Sequence, residues 1–206
     1  MANTPLFWSL ISRKYIAAPI ANEEVYQDKL TRTRNVLRPE WTMLEIGCGS
    51  GNTALAHAPY VSQITACDFS APMLDHGRTR AANEGVDNVE FIQTAFADLA
   101  TDPTYDAVLM LSVIHLIPDW KAAIRKAAQL TRAGGVFVSS TVTIDTMPKK
   151  MRAIMAVVNA LPVLPNIARI TRAGLIAELE SNGLVIEDNW QQEGHDSVFV
   201  IARKPA

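Results

Sequence analysis

The 206-residue chain has few of the features that mark several large protein classes. Its two cysteines, Cys48 and Cys67, have no neighbouring Cys or His cluster, which excludes a disulfide framework and a zinc site and favours a reducing cytoplasm. The longest apolar run, 107–118, is too short to span a bilayer. No basic segment precedes the first apolar run, so we expect no signal peptide. A net charge of −2 gives no overall signal for nucleic-acid binding.

Short β-rich segments alternate with helix-length segments along most of the chain. The predicted strands are 42–47, 63–68, 88–93, 105–111 and 134–142, and the predicted helices are 22–37, 51–58, 71–84 and 118–131. This alternation predicts crossover units and a doubly wound α/β fold with a mostly parallel sheet. The last two β-rich segments, 184–190 and 196–204, are close enough to form an antiparallel hairpin, which makes seven strands.

The segment EIGCGSG, residues 45–51, places glycines at the end of the first predicted strand and just before a helix. The second predicted strand ends at Asp68, about 20 residues further on. In open α/β sheets ligands bind at the carboxyl ends of strands, and an acid at that position accepts hydrogen bonds from ribose hydroxyls. The pair predicts a nucleoside-containing cofactor; the alternative is a plain glycine turn. The G-x-G-x-G spacing differs from the dinucleotide pattern G-x-G-x-x-G.

Four successive segments resemble motifs of the class I S-adenosylmethionine-dependent methyltransferases. They are LEIGCGSGNTALAHA, ITACDFSAPML, YDAVLMLSVIHLIPDW and LTRAGGVFVSS, and FWSLISRKY resembles the leading helix of small-molecule members related to ubiquinone methyltransferases. The resemblance implies one Rossmann-like domain over 1–206, S-adenosylmethionine as cofactor and S-adenosylhomocysteine as product. It also implies that N-terminal helices in 1–37 and a helical insertion at 143–182 form a lid over a small-molecule acceptor.

The resemblance also assigns roles to single positions. The residues implied to bind the cofactor are Tyr15, Glu45, Gly47, Cys48, Gly49, Gly51, Asp68, Phe69, Met73, Ala95, Phe96, Leu111 and Ser112. The glycine loop would pass under the methionine part, with Glu45 holding the loop or reaching the amino group through water. Asp68 would bind the ribose, while Leu111 and Ser112 would face the methionine end. Tyr15 matches a tyrosine that folds over the cofactor in related enzymes, although a surface or core tyrosine is an equal alternative.

The adenine end departs from the family pattern. Phe69 and Met73 would pack against the ring, and backbone groups of Ala95 and Phe96 would contact it. The family commonly has a Gly-Asp pair here whose acid binds the adenine amino group, whereas this chain reads FIQTAFADL with no acid at that position. Asp98 is a candidate substitute three residues on.

Methyl transfer from a sulfonium is an in-line displacement that needs alignment and, for some acceptors, a base, but neither a metal nor a catalytic triad. The candidate base is His115, just past the fourth strand and next to the methyl group by family geometry. An ordinary histidine pKa near 6.5 suits proton removal at neutral pH. The alternative is a histidine that only shapes the pocket or binds a loop carbonyl.

The segment 146–177 has no Asp or Glu. Its basic residues are Lys149, Lys150, Arg152, Arg169 and Arg172, and Met151, Ile154, Met155, Val158 and Leu161 form an apolar stripe at helical spacing. Such a segment favours a fairly apolar, lipid-like acceptor with an anionic group; membrane-surface contact is the less favoured alternative to an ordinary lid helix.

Three other functions compete with methyl transfer to a small molecule. The missing acid in the third motif allows a catalytically silent cofactor-binding protein, and the fold class allows an NAD-type oxidoreductase, against which the glycine spacing and final hairpin count. A nucleic-acid methyltransferase is less favoured, because the sequence has no separate basic domain. It also has no NPPY-type motif, since LSVIH follows the fourth predicted strand instead. The sequence specifies neither the acceptor atom nor the oligomeric state.

Overall fold

The computed structural model describes residues 11, 12, 14, 16–145, 147, 167–193 and 195–206. This part of the chain contains a seven-stranded sheet in the order β3-β2-β1-β4-β5-β7-β6. The strands are β1 (Thr42–Ile46), β2 (Gln63–Asp68), β3 (Val89–Gln93), β4 (Tyr105–Leu111), β5 (Thr131–Val142), β6 (Val185–Trp190) and β7 (Ser197–Arg203). The helices are α1 (Glu23–Arg34), α2 (Asn52–His57), α3 (Ala71–Glu84), α4 (Trp120–Leu130) and α5 (Arg172–Ser181).

The predicted mostly parallel α/β sheet is confirmed. Strands β1 to β5 pair in parallel, and β7 pairs antiparallel with both β5 and β6. Because β7 lies between β5 and β6, it alone runs against the others, and β6 has the direction of β1 to β5. The antiparallel hairpin thus ends in an edge strand that is parallel to the main sheet.

The element boundaries follow local chemistry. Asn22 caps α1 by accepting a hydrogen bond from the Val25 N–H, and Asp119 caps α4 in the same way. The fifth strand begins at residue 131, earlier than the predicted 134, because Thr131 both ends α4 and pairs with Tyr105 before the register shifts.

Both faces of the sheet are buried, as the nearly continuous apolar runs of the strands predict. Along β1, Met43 packs in one hydrophobic cluster with residues of α2 and α3, whereas Leu44 and Ile46 pack in the other with residues of α4 and α5. Alternating side chains of one strand therefore fix helices on opposite faces, and the strand ends that carry the site are held rigidly.

Helix α1 is joined to the far side of the sheet by charged side chains. Lys29 Nζ donates hydrogen bonds to Ser140 Oγ and Ser197 Oγ at 2.9 and 3.1 Å. The guanidinium of Arg32 lies 2.7 Å from a carboxylate oxygen of Asp188. These contacts place α1 across the ends of β5 and β7, within the range 1–37 that the resemblance assigns to a lid.

Much of the predicted lid lies outside the described residues. This applies to Tyr15 and to most of the basic apolar segment, including Lys149, Lys150 and Arg152. In the described part of 143–182, Arg172 begins α5 and its guanidinium bonds to Asn189. The lid stays a prediction. None of the helices in the described ranges has the length and hydropathy needed to cross a bilayer.

Candidate functional site

A cavity of about 310 Å³ lies at the carboxyl ends of β1, β2 and β4. The chain leaves β1 for β2 and β3 and then returns to the other side of β1 as β4, so the cavity lies where the strand order reverses. It is lined by Ile46, Gly47, Gly49, Cys67, Asp68, Phe69, Ser70, Met73, Thr94, Phe96, Ala97, Leu111, Ser112, Val113, Leu116, Ile117 and Pro118. The position and size suit a small-molecule ligand.

Close packing requires glycine at two positions of the loop after β1. Gly47 has φ +70°, and a Cβ there would lie 2.6 Å from a methyl carbon of Val113. Gly51 has φ +78°, and a Cβ there would lie 2.7 Å from the ring of Phe91. Each side chain would demand both a disfavoured backbone conformation and displaced neighbours. The loop can therefore turn tightly between β1 and α2 while its backbone faces the cavity.

Asp68 ties the end of β2 to the glycine loop. One carboxylate oxygen accepts a hydrogen bond from the Gly49 N–H at 3.0 Å, and the other accepts one from the Ser70 N–H at 2.8 Å. Burial raises the pKa of this carboxyl, while the backbone donors act in the opposite direction. A carboxylate has about four acceptor positions, so the two backbone bonds leave capacity for donors from a ligand.

Glu45 lies behind the cavity and does not line it. It is only 3% exposed, and the Ala54 backbone N–H in the first turn of α2 favours its charged form. Burial, reinforced by the charge of Asp68, raises its pKa to about 8, so the carboxyl is mainly protonated at neutral pH. Its predicted role of holding the loop stays a prediction. Among the described residues, Oε2 has no hydrogen-bond partner.

The two cysteines are buried beside this loop. The Cys67 carbonyl accepts hydrogen bonds from the N–H groups of Gly47 and Cys48, which fixes the start of the turn. Burial raises the pKa of both thiols, which makes them unreactive. Cys67 lines the cavity, whereas Cys48 and Gly51 of the predicted set do not.

The predicted adenine-side residues come together across the cavity. Phe69 and Met73, from the end of β2 and the first turn of α3, face Phe96 and Ala97 from the loop after β3. Ala95 itself does not line the cavity. Asp98, the candidate substitute for the missing acid, is exposed and does not line it either.

The end of β4 supplies the remaining wall. Leu111 and Ser112 line the cavity as predicted, and Ser112 has a left-handed φ of 60°. The Ser112 N–H donates to the Ser140 carbonyl at 2.8 Å. This bond continues the pairing of β4 with β5 and holds a conformation that costs a non-glycine residue roughly 1–2 kcal/mol. The chain then turns so that Val113 packs on Gly47.

His115 lies in the single helical turn Ile114–Leu116 and is 8% exposed. It does not line the described cavity, and its backbone carbonyl accepts the Ala168 N–H at 2.8 Å. Nδ1 has no hydrogen-bond partner in the part of the chain that the structure describes. The expectation of an ordinary pKa near 6.5 is wrong, because burial lowers the pKa to about 4. The ring is neutral at pH 7, and its catalytic role stays a prediction.

The comparisons with known proteins agree with this geometry. Residues 43–135 match a family described as a methyltransferase domain, and this range holds the glycine loop, Asp68 and every described residue that lines the cavity. The matched range, a little under half of the chain, is therefore similar to a methyltransferase domain.

Curated methyltransferases are similar over part of their length. The uncharacterized methyltransferase YcgJ of Bacillus subtilis is 32% identical over 102 residues, which cover 49% of this chain and 40% of YcgJ. The ubiquinone biosynthesis O-methyltransferase of Serratia proteamaculans is 34% identical over 125 residues, covering 60% of this chain and 50% of that enzyme. The tRNA 5-carboxymethoxyuridine methyltransferase of Escherichia coli is 33% identical over 97 residues, covering 46% and 37%. The chain spans about half or less of the length of these relatives.

Solved structures share the fold over nearly the whole chain. The DhpI–SAH complex aligns with a TM-score of 0.73 and 20% identity, covering 97% of this chain and 94% of that one. The [4+2]-cyclase SpnF aligns with a TM-score of 0.77 and 18% identity, covering 100% and 97%. At these identities the likeness is one of fold.

Several cavity residues of this protein were not among the site residues predicted from the sequence. Thr94, Ala97, Leu116, Ile117 and Pro118 all lie in loops after the ends of β3 and β4. The signal that could have found them is position, because every loop at the carboxyl edge beside the switch point is a candidate wall.

Proposed function

We propose that this protein binds S-adenosylmethionine in the described cavity and transfers its methyl group to a small, fairly apolar acceptor. The observation that carries the proposal is the arrangement at one edge of the sheet of the glycine loop and the Asp68 carboxylate, tied together by the Gly49 hydrogen bond. The family match and the curated methyltransferase relatives support it.

The residues present fit this cofactor. Asp68 offers free acceptor positions for two ribose hydroxyls on the cavity wall. Phe69, Met73 and Phe96 give apolar surfaces for a flat aromatic base. The glycine loop leaves its backbone open towards the remaining volume, next to Leu111 and Ser112, where the methionine part would lie.

When bound, the cofactor supplies an electrophilic methyl group on a sulfonium. The chain's own task is then to orient the donor, hold the acceptor in line and exclude water. Leu111 and Val113 give the β4 side of the cavity an apolar wall, and the fixed turn at Ser112 sets its position.

His115 is proposed as the group that takes a proton from the acceptor, where the acceptor has one to lose. Its ring is neutral throughout the neutral pH range because burial lowers its pKa, so it is available to accept a proton. A base with so low a pKa is weak, so its contribution depends on an acceptor that loses its proton only as the new bond forms. The atom assigned to this step is Nδ1, which no described residue contacts by a hydrogen bond.

A catalytically silent cofactor-binding protein is the second candidate. The observation that favours it is that His115 does not line the described cavity. Both candidates predict cofactor binding, and they differ only in the formation of S-adenosylhomocysteine.

The first test is calorimetric titration of the purified protein with S-adenosylhomocysteine and, separately, with NAD. We expect micromolar binding of S-adenosylhomocysteine and none of NAD. Tight binding of NAD instead would replace the proposal with an oxidoreductase. The second test incubates the protein with S-adenosylmethionine and a panel of apolar phenols, amines, thiols and lipids, and measures S-adenosylhomocysteine. Binding without turnover of any acceptor would favour the silent protein.

A further inference from the structure

The loop after β3 forms one wall of the cavity without an acidic side chain. Phe96 and Ala97 line the cavity, and both belong to the single helical turn Phe96–Asp98. The turn has little of its own to fix it, since its backbone bonds are the Asp98 N–H to the Ala95 carbonyl at 3.0 Å and a longer one from Leu99 to Phe96. A wall made of so short a turn needs support from a neighbouring element.

That support comes from Lys126 on α4. Its Nζ donates to the backbone carbonyls of Phe96 and Ala97, both at 2.9 Å. The same ammonium lies 5.1 Å from the centre of the Phe96 ring. One cation thus contacts the backbone of both cavity residues and the side chain of one. Hydrogen bonds from a charged donor are stronger than neutral ones, and the aromatic contact adds to them.

Lys121, on the same helix, behaves differently. Its Nζ lies 3.4 Å from a carboxylate oxygen of Glu178 and 5.6 Å from the Trp120 ring, and its side chain is 61% exposed. Both lysines therefore make an ionic or polar contact and an aromatic contact, yet only Lys126 contacts residues that line the cavity. Comparing variants of Lys126 and Lys121 therefore distinguishes support of the cavity wall from a general contribution of α4 lysines to stability.

We propose that Lys126 is a positioning residue of the cofactor site, which holds Phe96 and Ala97 in the conformation that receives the adenine end. The inference rests on the proposed function, since it names the side of the cavity that adenine occupies. In this chain the wall is fixed from behind by a lysine, where an acid on the loop itself would contact the ligand directly. The support acts through the loop, so Lys126 touches no cofactor atom.

The test compares Lys126→Met, Lys126→Arg and Lys121→Met with the wild type by calorimetry. The probes are S-adenosylhomocysteine and methylthioadenosine, which shares the adenosine part but lacks the amino-acid part. We expect Lys126→Met to weaken both probes by the same factor, about tenfold, because the loss is on the adenine side. Lys126→Arg, which keeps a cationic donor, and Lys121→Met should bind as the wild type does.

A second measurement needs no variant. Amine labelling of the wild type, read by mass spectrometry, should show Lys126 more protected when S-adenosylhomocysteine is present and Lys121 unchanged. Linkage is reciprocal: if the Lys126 contact strengthens ligand binding, then ligand binding strengthens the Lys126 contact by the same free energy. This result decides the question if Lys126→Met does not fold.

The inference is overturned if folded Lys126→Met binds both probes as the wild type does, if it weakens S-adenosylhomocysteine alone, or if labelling of Lys126 ignores the ligand. A wild type that binds neither probe refutes the proposed function instead, so the two failures are distinguishable.

Discussion

The carboxylate of Asp68, at the end of β2, is joined by a 3.0 Å hydrogen bond to the backbone N–H of Gly49, at the centre of the loop after β1. The glycine loop and the acid at the end of the second strand, which together predict a nucleoside-containing cofactor, therefore contact each other directly. With the Ser70 N–H on its other oxygen, the carboxylate is oriented before any ligand binds. Such preorganisation lowers the entropy cost of binding.

Asp68→Ala is expected to weaken S-adenosylhomocysteine at least about 100-fold, since it removes charge-assisted hydrogen bonds worth about 1.5–3 kcal/mol each. Calorimetry measures the loss, with circular dichroism as the check on folding. The matched control is Asp75→Ala on α3, whose carboxylate is 71% exposed and pairs with Arg78. Equal binding by the two variants would contradict the assignment of Asp68.

Glu45 should make stability fall with rising pH. Its pKa in the folded protein is about 8, above the ordinary value near 4.5, so the unfolded chain ionises first. The stabilisation from the protonated carboxyl is complete below about pH 4.5 and is lost as pH rises towards 8, at up to about 1.4 kcal/mol per pH unit. Glu45→Gln mimics the protonated form and removes this dependence.

We therefore expect the free energy of unfolding of Glu45→Gln, relative to the wild type, to improve steadily between pH 5 and pH 8. Urea unfolding at four pH values measures it. Glu84→Gln, at a carboxylate paired with Arg80 on the surface, provides the control with no such trend. A constant difference between Glu45→Gln and the wild type would show that Glu45 is ionised in the folded protein.

Gly77→Ala should destabilise the protein although alanine favours helices. A Cβ at Gly77 would lie 2.7 Å from the Phe91 ring and 3.2 Å from the Ser50 carbonyl oxygen, beside the glycine loop. Overpacking costs about 1–3 kcal/mol, against a gain of about 1 kcal/mol in helix propensity. Urea unfolding should show a net loss of up to about 2 kcal/mol that Phe91→Leu partly relieves.

Gly77→Ala, Phe91→Leu and the double variant form a double-mutant cycle, and Gly85→Ala combined with Phe91→Leu is its control. Gly85 has φ +68° but open space around its Cβ position, so its cost is conformational only. We expect the effects of Gly85→Ala and Phe91→Leu to add. Additivity for Gly77→Ala as well would mean that the Phe91 contact carries no strain.

His115→Ala is expected to lower kcat about 100-fold with little change in S-adenosylhomocysteine affinity, the range typical of a general base. The pH profile of kcat/KM should show no step between pH 6 and pH 8 from this residue, because its pKa is about 4. His76→Ala on α3 is the control. Full turnover by His115→Ala, with an acceptor found in the screen, would remove His115 from the mechanism.

The sequence was sufficient to predict the strands and to place the glycine loop and Asp68 at one edge of the sheet. The glycines and Asp68 are local signals, because each lies at the end of a predicted strand and its position can be inferred from that strand alone. It was insufficient for Lys126 and Cys67, whose relation to the cavity depends on contacts between elements far apart in sequence. It also gave the wrong pKa for His115, because burial is a property of the packed molecule.

Among the described residues, those that line the cavity all lie between Ile46 and Pro118, within the half of the sheet formed by β1 to β4. No described residue of β5 to β7 lines it, and β5 supports the wall through the Ser140 carbonyl, which holds the Ser112 N–H. Substitutions in β6 and β7 therefore reach the cavity wall only through β5, which lies between them and β4. The two outer strands can thus accept changes at their solvent-facing positions while the side chains that line the cavity keep their places.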